Sequence, residues 1–357
     1  MTATITAVHG QVPADQLGIT LVHEHLIADI SALATTAAHP DRQWMAEVPV
    51  SAIDPQTLGR DPLVCADNCR LDDEDGAVAE LEHYAQAGGA TLVECTTAGL
   101  APDIGKLARV AARSSVNIIA PTGYYLWFTC QQEVEGRSEH ELAETMLRDI
   151  TEGIPASPAT ASYPAIRAGV IGELGTSAEL HPREETVLRA AALAHSQTGT
   201  PIAVHLDQAG HEAHRIIDIL TRGGVDPHRI VIGHLDQRRV YEPDYLIAIA
   251  RSGVMLGFDT FGTTYAYDSA GIDDPTDSQR IELLARIVQA GFIDQCVLSH
   301  DVGCKSMLRR HGGGGYSHLL TDLRPSMLMR GLTEEALEQM FIRNPARWLA
   351  GDDPGSL

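Results

Sequence analysis

The sequence predicts a single α/β domain, built as a closed barrel of eight parallel strands that are each followed by a helix. Short β-branched, apolar segments alternate with amphipathic segments whose apolar residues recur at helical spacing. The strand segments are apolar on both faces, which is typical of a parallel sheet covered by helices. A (β/α)8 or TIM barrel needs roughly 250 residues. Because the chain has 357 residues and no obvious linker, we expect one domain over residues 1–357 with the surplus in insertions.

Each strand and helix follows from the same alternation. In chain order, the predicted strands are Ile19–His25, Thr91–Cys95, Val116–Pro121, Ala168–Glu173, Ile202–Leu206, Ile230–His234, Val254–Asp259 and Cys296–His300. The predicted helices are Asp75–Ala87, Ile104–Ser114, Glu139–Glu152, Glu184–Thr198, Glu212–Arg222, Asp244–Arg251, Ser278–Ala290 and Glu334–Leu349. Glycine after several of these helices, and acidic or hydroxyl residues before them, are the expected end and start signals.

Two insertions follow strands. The long one, Ile30–Leu71 after the first strand, is rich in Pro, Asp and Ala, and an irregular block at residues 305–325 follows the eighth strand. Long segments with little periodicity are usually lids or binding loops. Since both follow a strand, we expect both at the face where barrel active sites form.

Composition excludes several classes of partner. A formal net charge of -22 repels nucleic-acid phosphates and anionic lipid surfaces. The N-terminus lacks a signal peptide and no stretch is long and apolar enough to span a bilayer, so we expect a cytoplasmic protein. The six cysteines form no CxxC pair, and we expect free thiols.

The first strand ends in two histidines. Side chains two apart in a strand point the same way, so His23 and His25 should share a face with Ile19 and Leu21, while Glu24 turns to the other face. Two imidazoles projecting into the barrel mouth could bind one divalent cation. Spacing alone leaves a second interpretation open, in which they are hydrogen-bonded core histidines.

Four more ligand-type residues close other strands. Glu173 ends the fourth strand, His205 the fifth and His234 the sixth, and Asp301 follows the eighth. Any one of them alone fits a solvated strand tip or a helix cap. A single catalytic zinc needs only three protein ligands, so six candidates on one rim are too many for one ion. Six ligands are a suitable number for two ions about 3.5–4 Å apart.

With these residues the chain resembles the phosphotriesterase family of the amidohydrolase superfamily, and within it the phosphotriesterase-related proteins. The similarity runs from about Gly18 to Trp348 and includes "ECTTAG", "TGYY", "GELGTS", "FDTFG", "LSHD" and "GGGGYSH". It implies two divalent metal ions, with zinc favoured and manganese, cobalt and iron as alternatives. The implied ligands are His23, His25 and Asp301 for the more buried ion, His205 and His234 for the more exposed ion, and Glu173 as the bridge, in place of the carboxylated lysine of phosphotriesterase itself.

The resemblance also implies a reaction. A hydroxide that bridges the metals would attack a carbonyl centre of a small molecule, either a lactone or ester or an N-acyl amide, with Asp301 moving the proton; the alternative is that Asp301 is a ligand with no proton role. Phosphotriester hydrolysis is a second possibility, disfavoured because Gln237 and Thr260 stand where phosphotriesterase has a proton-relay Asp–His pair. A third is a metal-containing barrel that binds a ligand without turnover. Homodimers are common in the family, and nothing in the residues decides that point.

Three residues are candidate substrate contacts. Tyr124 and Tyr125 close the third strand, where a phenol could hydrogen-bond a carbonyl oxygen. Arg238 could bind an anionic substrate group. The alternatives are aromatic packing under the first insertion for the tyrosines and a surface ion pair for the arginine.

Overall fold

The eight strand–helix units are present in the computed structural model, which describes residues 3–155, 165–237, 242–268 and 271–351. The strands are β1 (Thr4–Ala7), β2 (Gly10–Pro13), β3 (Ile19–Glu24), β4 (Ala28–Asp29), β5 (Arg70–Leu71), β6 (Gly89–Glu94), β7 (Asn117–Ile119), β8 (Pro121–Thr122), β9 (Val170–Thr176), β10 (Ile202–Leu206), β11 (Ile230–Ile232), β12 (Met255–Phe258), β13 (Ala266–Tyr267), β14 (Ile272–Asp273) and β15 (Cys296–Leu298). The α-helices are α1 (Pro55–Leu58), α2 (Glu74–Gln86), α3 (Ile104–Ala112), α4 (Gln131–Val134), α5 (Glu139–Thr151), α6 (Pro182–Thr198), α7 (Ala213–Arg222), α8 (Pro243–Ala250), α9 (Asp277–Gln289), α10 (His318–Thr321), α11 (Arg324–Met329), α12 (Glu334–Glu338) and α13 (Asn344–Ala350).

The barrel strands pair in chain order. One parallel ladder joins β3, β6 and β7, and a second joins β8, β9, β10, β11, β12 and β15. The third barrel strand belongs to both ladders, because β7 and β8 are its two halves. The eighth strand meets the first where the Asp301 N–H donates to the His23 carbonyl at 3.2 Å and the His23 N–H donates to Ser299 Oγ at 3.0 Å. The predicted (β/α)8 class is confirmed.

The barrel interior is filled from both ends of the chain. Val22, Val93 and Val170 belong to an apolar cluster inside the strands, which also contains Ile5 of β1 and Trp348 of α13. The antiparallel hairpin β1–β2, which the sequence analysis does not predict, therefore packs against the inside of the barrel. The larger cluster lies between the strands and the surrounding helices.

The alternation predicted for the first strand is wrong, because Ile19 and Leu21 do not share a face with His23. Leu21 lies in the outer cluster and Val22 in the inner one, yet His23 also faces inward. The pairing with β6 shifts between Leu21 and Glu24, so Val22 and His23 of β3 together oppose the single residue Val93 of β6. Such a β-bulge re-aims side chains, and its extra residue lets both Val22 and His23 face the interior.

The first insertion is more ordered than expected. The antiparallel pair β4–β5 closes its base, and 3₁₀ turns together with α1 occupy the segment between. It has a small core of its own that includes Met45, Val50 and Leu58. The block at residues 305–325 likewise consists of short 3₁₀ turns, α10 and the start of α11 rather than an open loop.

The last helix is not continuous as predicted. It consists of α12, a π-helical segment at Gln339–Arg343, and α13. Pro345 lies in the first turn of α13 and has no N–H to donate to the preceding turn. The loss of that hydrogen bond accounts for the widened turn.

Helix ends follow the predicted signals. Ser138 caps α5 and Thr276 caps α9, each with a reciprocal bond to the side chain three residues later. Gly199 ends α6 in the left-handed conformation, with φ 68°. Among the helices of the described ranges, none combines the length and apolar character that a membrane crossing requires.

Candidate metal centre

The structure brings all six predicted metal ligands together at the carboxyl end of the barrel. They come from five strands or the residues just after them: His23 and His25 from the end of β3, Glu173 from β9, His205 from β10, His234 from beyond β11 and Asp301 from beyond β15. Glu173 does not end its strand as predicted, since β9 continues to Thr176. Four of the six are buried. The side chains of His205 and Asp301 are 18% and 26% exposed and face the opening of the barrel.

Glu173 lies at the middle of the group. Its Oε2 is 3.2 Å from His23 Nε2 and 3.2 Å from His205 Nδ1, and its Oε1 is 3.3 Å from His25 Nε2. His234 Nε2 is 3.6 Å from the same Oε2. One carboxylate therefore faces four histidines from three strand ends, as a bridge between two ions would.

Two overlapping sets are close enough to hold an ion each. One is His23, His25 and Asp301, and the other is His23, Glu173 and His234. The first coincides with the ligands that the family resemblance implies for the more buried ion. His205, implied for the second ion, has its Nδ1 2.8 Å from His234 Nε2 and so lies beside the second set.

Polar contacts on the outer side of the rings favour the tautomer that a ligand needs in three histidines. His23 Nδ1 and His234 Nδ1 each lie 3.1 Å from a different oxygen of Asp259, which can only accept. His25 Nδ1 lies 2.9 Å from Thr96 Oγ1, whose own proton goes to Glu94 Oε1 at 2.5 Å. An acceptor beside each Nδ1 places the proton on that nitrogen, so the Nε2 lone pairs point toward Glu173 and Asp301.

This arrangement fits a divalent cation. Within the part of the chain that the structure describes, His23 Nε2 and Glu173 Oε2 are buried without a hydrogen-bond partner. Lone pairs on nitrogen facing carboxylate oxygens at 3.1–3.3 Å repel each other unless a positive charge lies between them. Nitrogen and carboxylate oxygen donors together suit zinc, manganese, iron or cobalt.

The electrostatics of the chain alone point the same way. Burial lowers the pKa of His23, but Glu173 and Asp259 outweigh it and raise that pKa to about 10. Burial likewise lowers the pKa of His25, and Asp301 and Glu173 raise it well above its usual value. The carboxylates thus create a field that holds positive charge here, which a proton or a metal cation can supply.

Two of the ligand candidates adopt an uncommon backbone conformation. His234 has φ 58° and Asp301 has φ 54°, both in the left-handed region. Asp259 Oδ1 accepts the His234 N–H at 2.7 Å, so Asp259 holds both the backbone and the ring of His234. Such conformations persist where surrounding contacts enforce them, and they cluster at functional sites.

The predicted substrate contacts separate into three cases. The Tyr125 hydroxyl lies 3.2 Å from His205 Nδ1, at the site. The Tyr124 hydroxyl instead accepts a hydrogen bond from Arg137 Nη1 at 3.0 Å and lines a cavity of about 770 Å³ beside α3 and α5. Arg238 lies outside the described residues.

Sequence reasoning missed the roles of several residues that support the histidines. Glu94 and Thr96 do not stand out in "VECTTAG", and the signal that could have found them is a buried acid inside an apolar strand. Asp259, at the end of the seventh barrel strand, was not missed: its place in the sequence already suggests a residue that supports the ligands, and the structure places it against His23 and His234. A buried carboxylate needs partners, and here the partners are ligand-candidate histidines.

Comparison with known proteins agrees with this geometry. Residues 3–349 match the model of the phosphotriesterase family. The chain is 34% identical to the N-acetyltaurine hydrolase of Danio rerio over 349 residues, which make up 97% of each protein.

Two crystal structures are also similar. A resiniferatoxin-binding protein from Rhodobacter sphaeroides superposes with a TM-score of 0.90 at 34% identity, over 97% of this chain and 95% of that one. A phosphotriesterase homology protein from Escherichia coli, complexed with phosphate in its active site, superposes with a TM-score of 0.76 at 28% identity, over 94% of this chain and 99% of that one. With a family match along almost its whole length and relatives of this identity, the chain belongs to the phosphotriesterase family and is a hydrolase.

Proposed function

We propose that the chain is a binuclear-metal hydrolase that cleaves the acyl bond of a small carbonyl compound. N-acyl amides are the first candidate class, and lactones and esters are the second. The observation that carries the proposal is the convergence of three Nε2 lone pairs on the two oxygens of one buried carboxylate, Glu173. The amide preference rests on the relative named N-acetyltaurine hydrolase, which is similar over 97% of its length.

The residues present would hold one ion with His23, His25 and Asp301 and a second with His205 and His234, with Glu173 between them. Bound divalent metals lower the pKa of water from 15.7 to about 7, which supplies a nucleophile at neutral pH. Zinc is the metal we favour.

Asp301 is the residue best placed to move a proton. Its side chain is partly exposed at the opening, and Oδ1 lies 3.1 Å from His25 Nε2. In amide hydrolysis the oxygen of water bonds to the carbonyl carbon, the carbon–nitrogen bond breaks, and a proton must reach the leaving nitrogen. We infer that Asp301 accepts a proton from the attacking water and delivers it to that nitrogen.

Tyr125 is the substrate contact that the geometry favours. Its hydroxyl lies beside His205, the exposed histidine of the group, with its ring edge-on to the imidazole at a centroid distance of 4.9 Å. From there the O–H could donate to the carbonyl oxygen of a substrate bound at the opening. Tyr124 is already paired with Arg137 and drops out of the proposal.

Phosphotriester hydrolysis is the less favoured candidate. Thr260 is fully buried, with its N–H 3.3 Å from Asp236 Oδ2 and its hydroxyl accepting from Arg280 Nε at 3.2 Å. Neither Thr260 nor Gln237 carries a group that exchanges a proton near neutral pH. The proton-relay pair of phosphotriesterase therefore has no counterpart at these two positions.

A turnover screen on zinc-loaded protein tests the proposal. The substrates are N-acyl amino acids, N-acetyltaurine, lactones, aryl esters and a phosphotriester, each assayed with the wild type, His205→Ala and His140→Ala. His140 is an exposed histidine on α5 and serves as the matched control. We expect acyl hydrolysis that His205→Ala reduces at least 100-fold and His140→Ala leaves unchanged.

Other outcomes would count against the proposal in different ways. Acyl hydrolysis that survives His205→Ala would remove the mechanism. Turnover of the phosphotriester alone would reverse the ranking of substrates. Bound zinc without any turnover would favour a ligand-binding role.

A further inference from the structure

Glu24 lies between the two histidines of β3 and is fully buried. Its Oε1 accepts hydrogen bonds at 2.8 Å from the Ser299 hydroxyl, the His300 backbone N–H and His300 Nδ1. Its Oε2 accepts the Val302 N–H at 3.0 Å. The backbone N–H groups on both sides of Asp301 therefore donate to one carboxylate from the neighbouring strand, β3.

The residue enclosed by these bonds, Asp301, has a left-handed backbone with φ 54°. This conformation is uncommon for residues with a Cβ, although less so for Asp, and surrounding contacts usually hold it. The Asp301 N–H also donates to the His23 carbonyl at 3.2 Å. This turn brings Asp301 Oδ1 to 3.1 Å from His25 Nε2, whereas a strand that simply continued would carry the side chain along the barrel wall.

His300 extends the same network. Because its Nδ1 proton goes to Glu24, its Nε2 is free to accept, and it accepts the Leu319 N–H at 3.1 Å. Leu319 belongs to α10, in the block that follows the eighth strand. Glu24 thus connects the first strand, the Asp301 turn and the segment beyond it.

We propose that Glu24 is a positioning residue, which holds Asp301 in the left-handed conformation that aims its carboxylate at the metal centre. The consequence for metal binding rests on the proposed function, whereas the backbone role does not. In the sequence His23-Glu24-His25, the two histidines then provide metal ligands on one side of the strand. Glu24, on the other side, holds Asp301 as a third ligand.

The substitution Glu24→Gln tests this with little change in volume. One carboxylate oxygen becomes an NH2 group, which must face either the three donors at Oε1 or the Val302 N–H. A donor then faces a donor, and the turn loses part of its support. Glu184→Gln is the matched control, because Glu184 is also buried and accepts from the N–H groups of Ser177 and His181.

The first measurement is zinc affinity by competition with a chromophoric chelator. We expect Glu24→Gln to bind zinc 10- to 100-fold more weakly, as is typical when the partner of a metal ligand is removed. Glu184→Gln should stay within about twofold of the wild type, and Glu24→Asp, which keeps the charge, should fall between the two. The visible absorption of the cobalt-loaded protein should change for Glu24→Gln and not for Glu184→Gln. Equal zinc affinity of Glu24→Gln and the wild type would contradict the proposal.

The second measurement uses metal-free protein and a double-mutant cycle with Asp301→Gly. Glycine adopts the left-handed conformation without support. We therefore expect the decrease in Tm caused by Glu24→Gln to be at least halved in the Asp301→Gly background, while the decrease caused by Glu184→Gln is unchanged there. If Glu24→Gln lowers the Tm equally in the wild-type and Asp301→Gly backgrounds, the positioning role is contradicted. If the wild type binds no zinc, the proposed function fails and this cycle still decides the role of Glu24; if Glu24→Gln does not fold, Glu24→Asp takes its place in the cycle.

Discussion

At the scale of single residues, one carboxylate serves two histidines of the candidate metal centre. Asp259 is fully buried, and its two oxygens lie 3.1 Å from His23 Nδ1 and from His234 Nδ1. Asp259 is held in turn, since its own N–H lies 3.2 Å from Asp236 Oδ1. Burial raises the pKa of the Asp259 carboxyl, but His234 and His23 outweigh it and lower that pKa far below its usual range. Both rings are therefore oriented by one rigid group.

The substitution Asp259→Asn should weaken both ligand sets at once. The asparagine amide can accept from only one ring and presents N–H donors to the other, which then loses its tautomer preference. We expect zinc affinity to fall roughly 10- to 100-fold, measured by chelator competition. Asp218→Asn, at an exposed ion pair on α7, is the control. An Asp259→Asn variant with wild-type affinity would show that Asp259 does not orient the ligands.

All six ligand candidates could be predicted from the sequence because strand ends are strongly constrained. Parallel barrel strands end on one rim, so His or Glu after an apolar run is placed there by topology alone. Leu21 and Val22 could not be placed correctly, since a bulge depends on the register with β6 and leaves no local signature. Tyr124 and Tyr125 were equivalent in sequence, and the neighbouring Arg137 separates them in the structure.

At the scale of elements, the first insertion is tied to the seventh strand–helix connection by charge. Arg42 Nη1 lies 2.8 Å from Asp61 Oδ2, and Arg42 Nη2 lies 2.6 Å from Asp268 Oδ2. Arg60 Nη2 pairs with the other oxygen of Asp268 at 2.6 Å. Hydrogen bonds from Arg60 and Arg42 hold the pKa of Asp268 at about 2. The insertion is thus attached at its tip as well as at its β4–β5 base.

Asp268→Asn should loosen the tip of the insertion and leave the barrel intact. The neutral amide loses both charge-assisted pairs, while Arg42 keeps Asp61. We expect hydrogen–deuterium exchange in peptides covering residues 40–61 to become several-fold faster, with no change in peptides from β9 and β10. Unchanged exchange at residues 40–61 would mean that other contacts hold the insertion in place, namely its apolar core and the backbone hydrogen bonds from Ala266 N–H to the Gly59 carbonyl and from Asp268 N–H to the Arg60 carbonyl.

A second ionic contact attaches α10 to α9. His318 Nε2 lies 3.0 Å from Asp277 Oδ2, and Nδ1 lies 2.9 Å from Asp322 Oδ2. Arg280 lies 3.6 Å from Asp277, and the centre of the His300 ring lies 6.4 Å from that of the His318 ring. Burial lowers the pKa of His318, but Asp277 and Asp322 raise it above 6.5 overall.

A raised pKa means that the folded chain favours the protonated ring. The resulting stability is fully present below pH 6.5 and is lost as the pH rises through the folded-state pKa. We therefore expect His318→Gln to lower the Tm by about 1–3 °C more at pH 6 than at pH 9, a shift produced by roughly 1 kcal/mol in a chain of this size. Equal losses of Tm at the two pH values would show that His318 contributes only neutral hydrogen bonds.

At the scale of the whole molecule, the two ends of the described chain meet inside the barrel. Ile5 of the β1–β2 hairpin and Trp348 of α13 belong to the inner cluster with Val22 and Val93. We propose on this basis that residues 1–357 form one domain. The alternation of strands and helices could be predicted because its periodicities are local. The β1–β2 hairpin could not be predicted, because its four-residue strands depend on contacts with the inner apolar cluster of the barrel.

The central claim is that these six side chains surround two metal ions at the carboxyl end of the barrel. An anomalous-difference map from crystals of the zinc-loaded protein, with data collected on both sides of the zinc absorption edge, tests it most directly. We predict two peaks about 3.5–4 Å apart, one on each side of Glu173, with Asp301 and His25 beside the more buried peak. Density at full zinc loading with no peak near Glu173, or with the six side chains turned away from the peaks, would contradict the account.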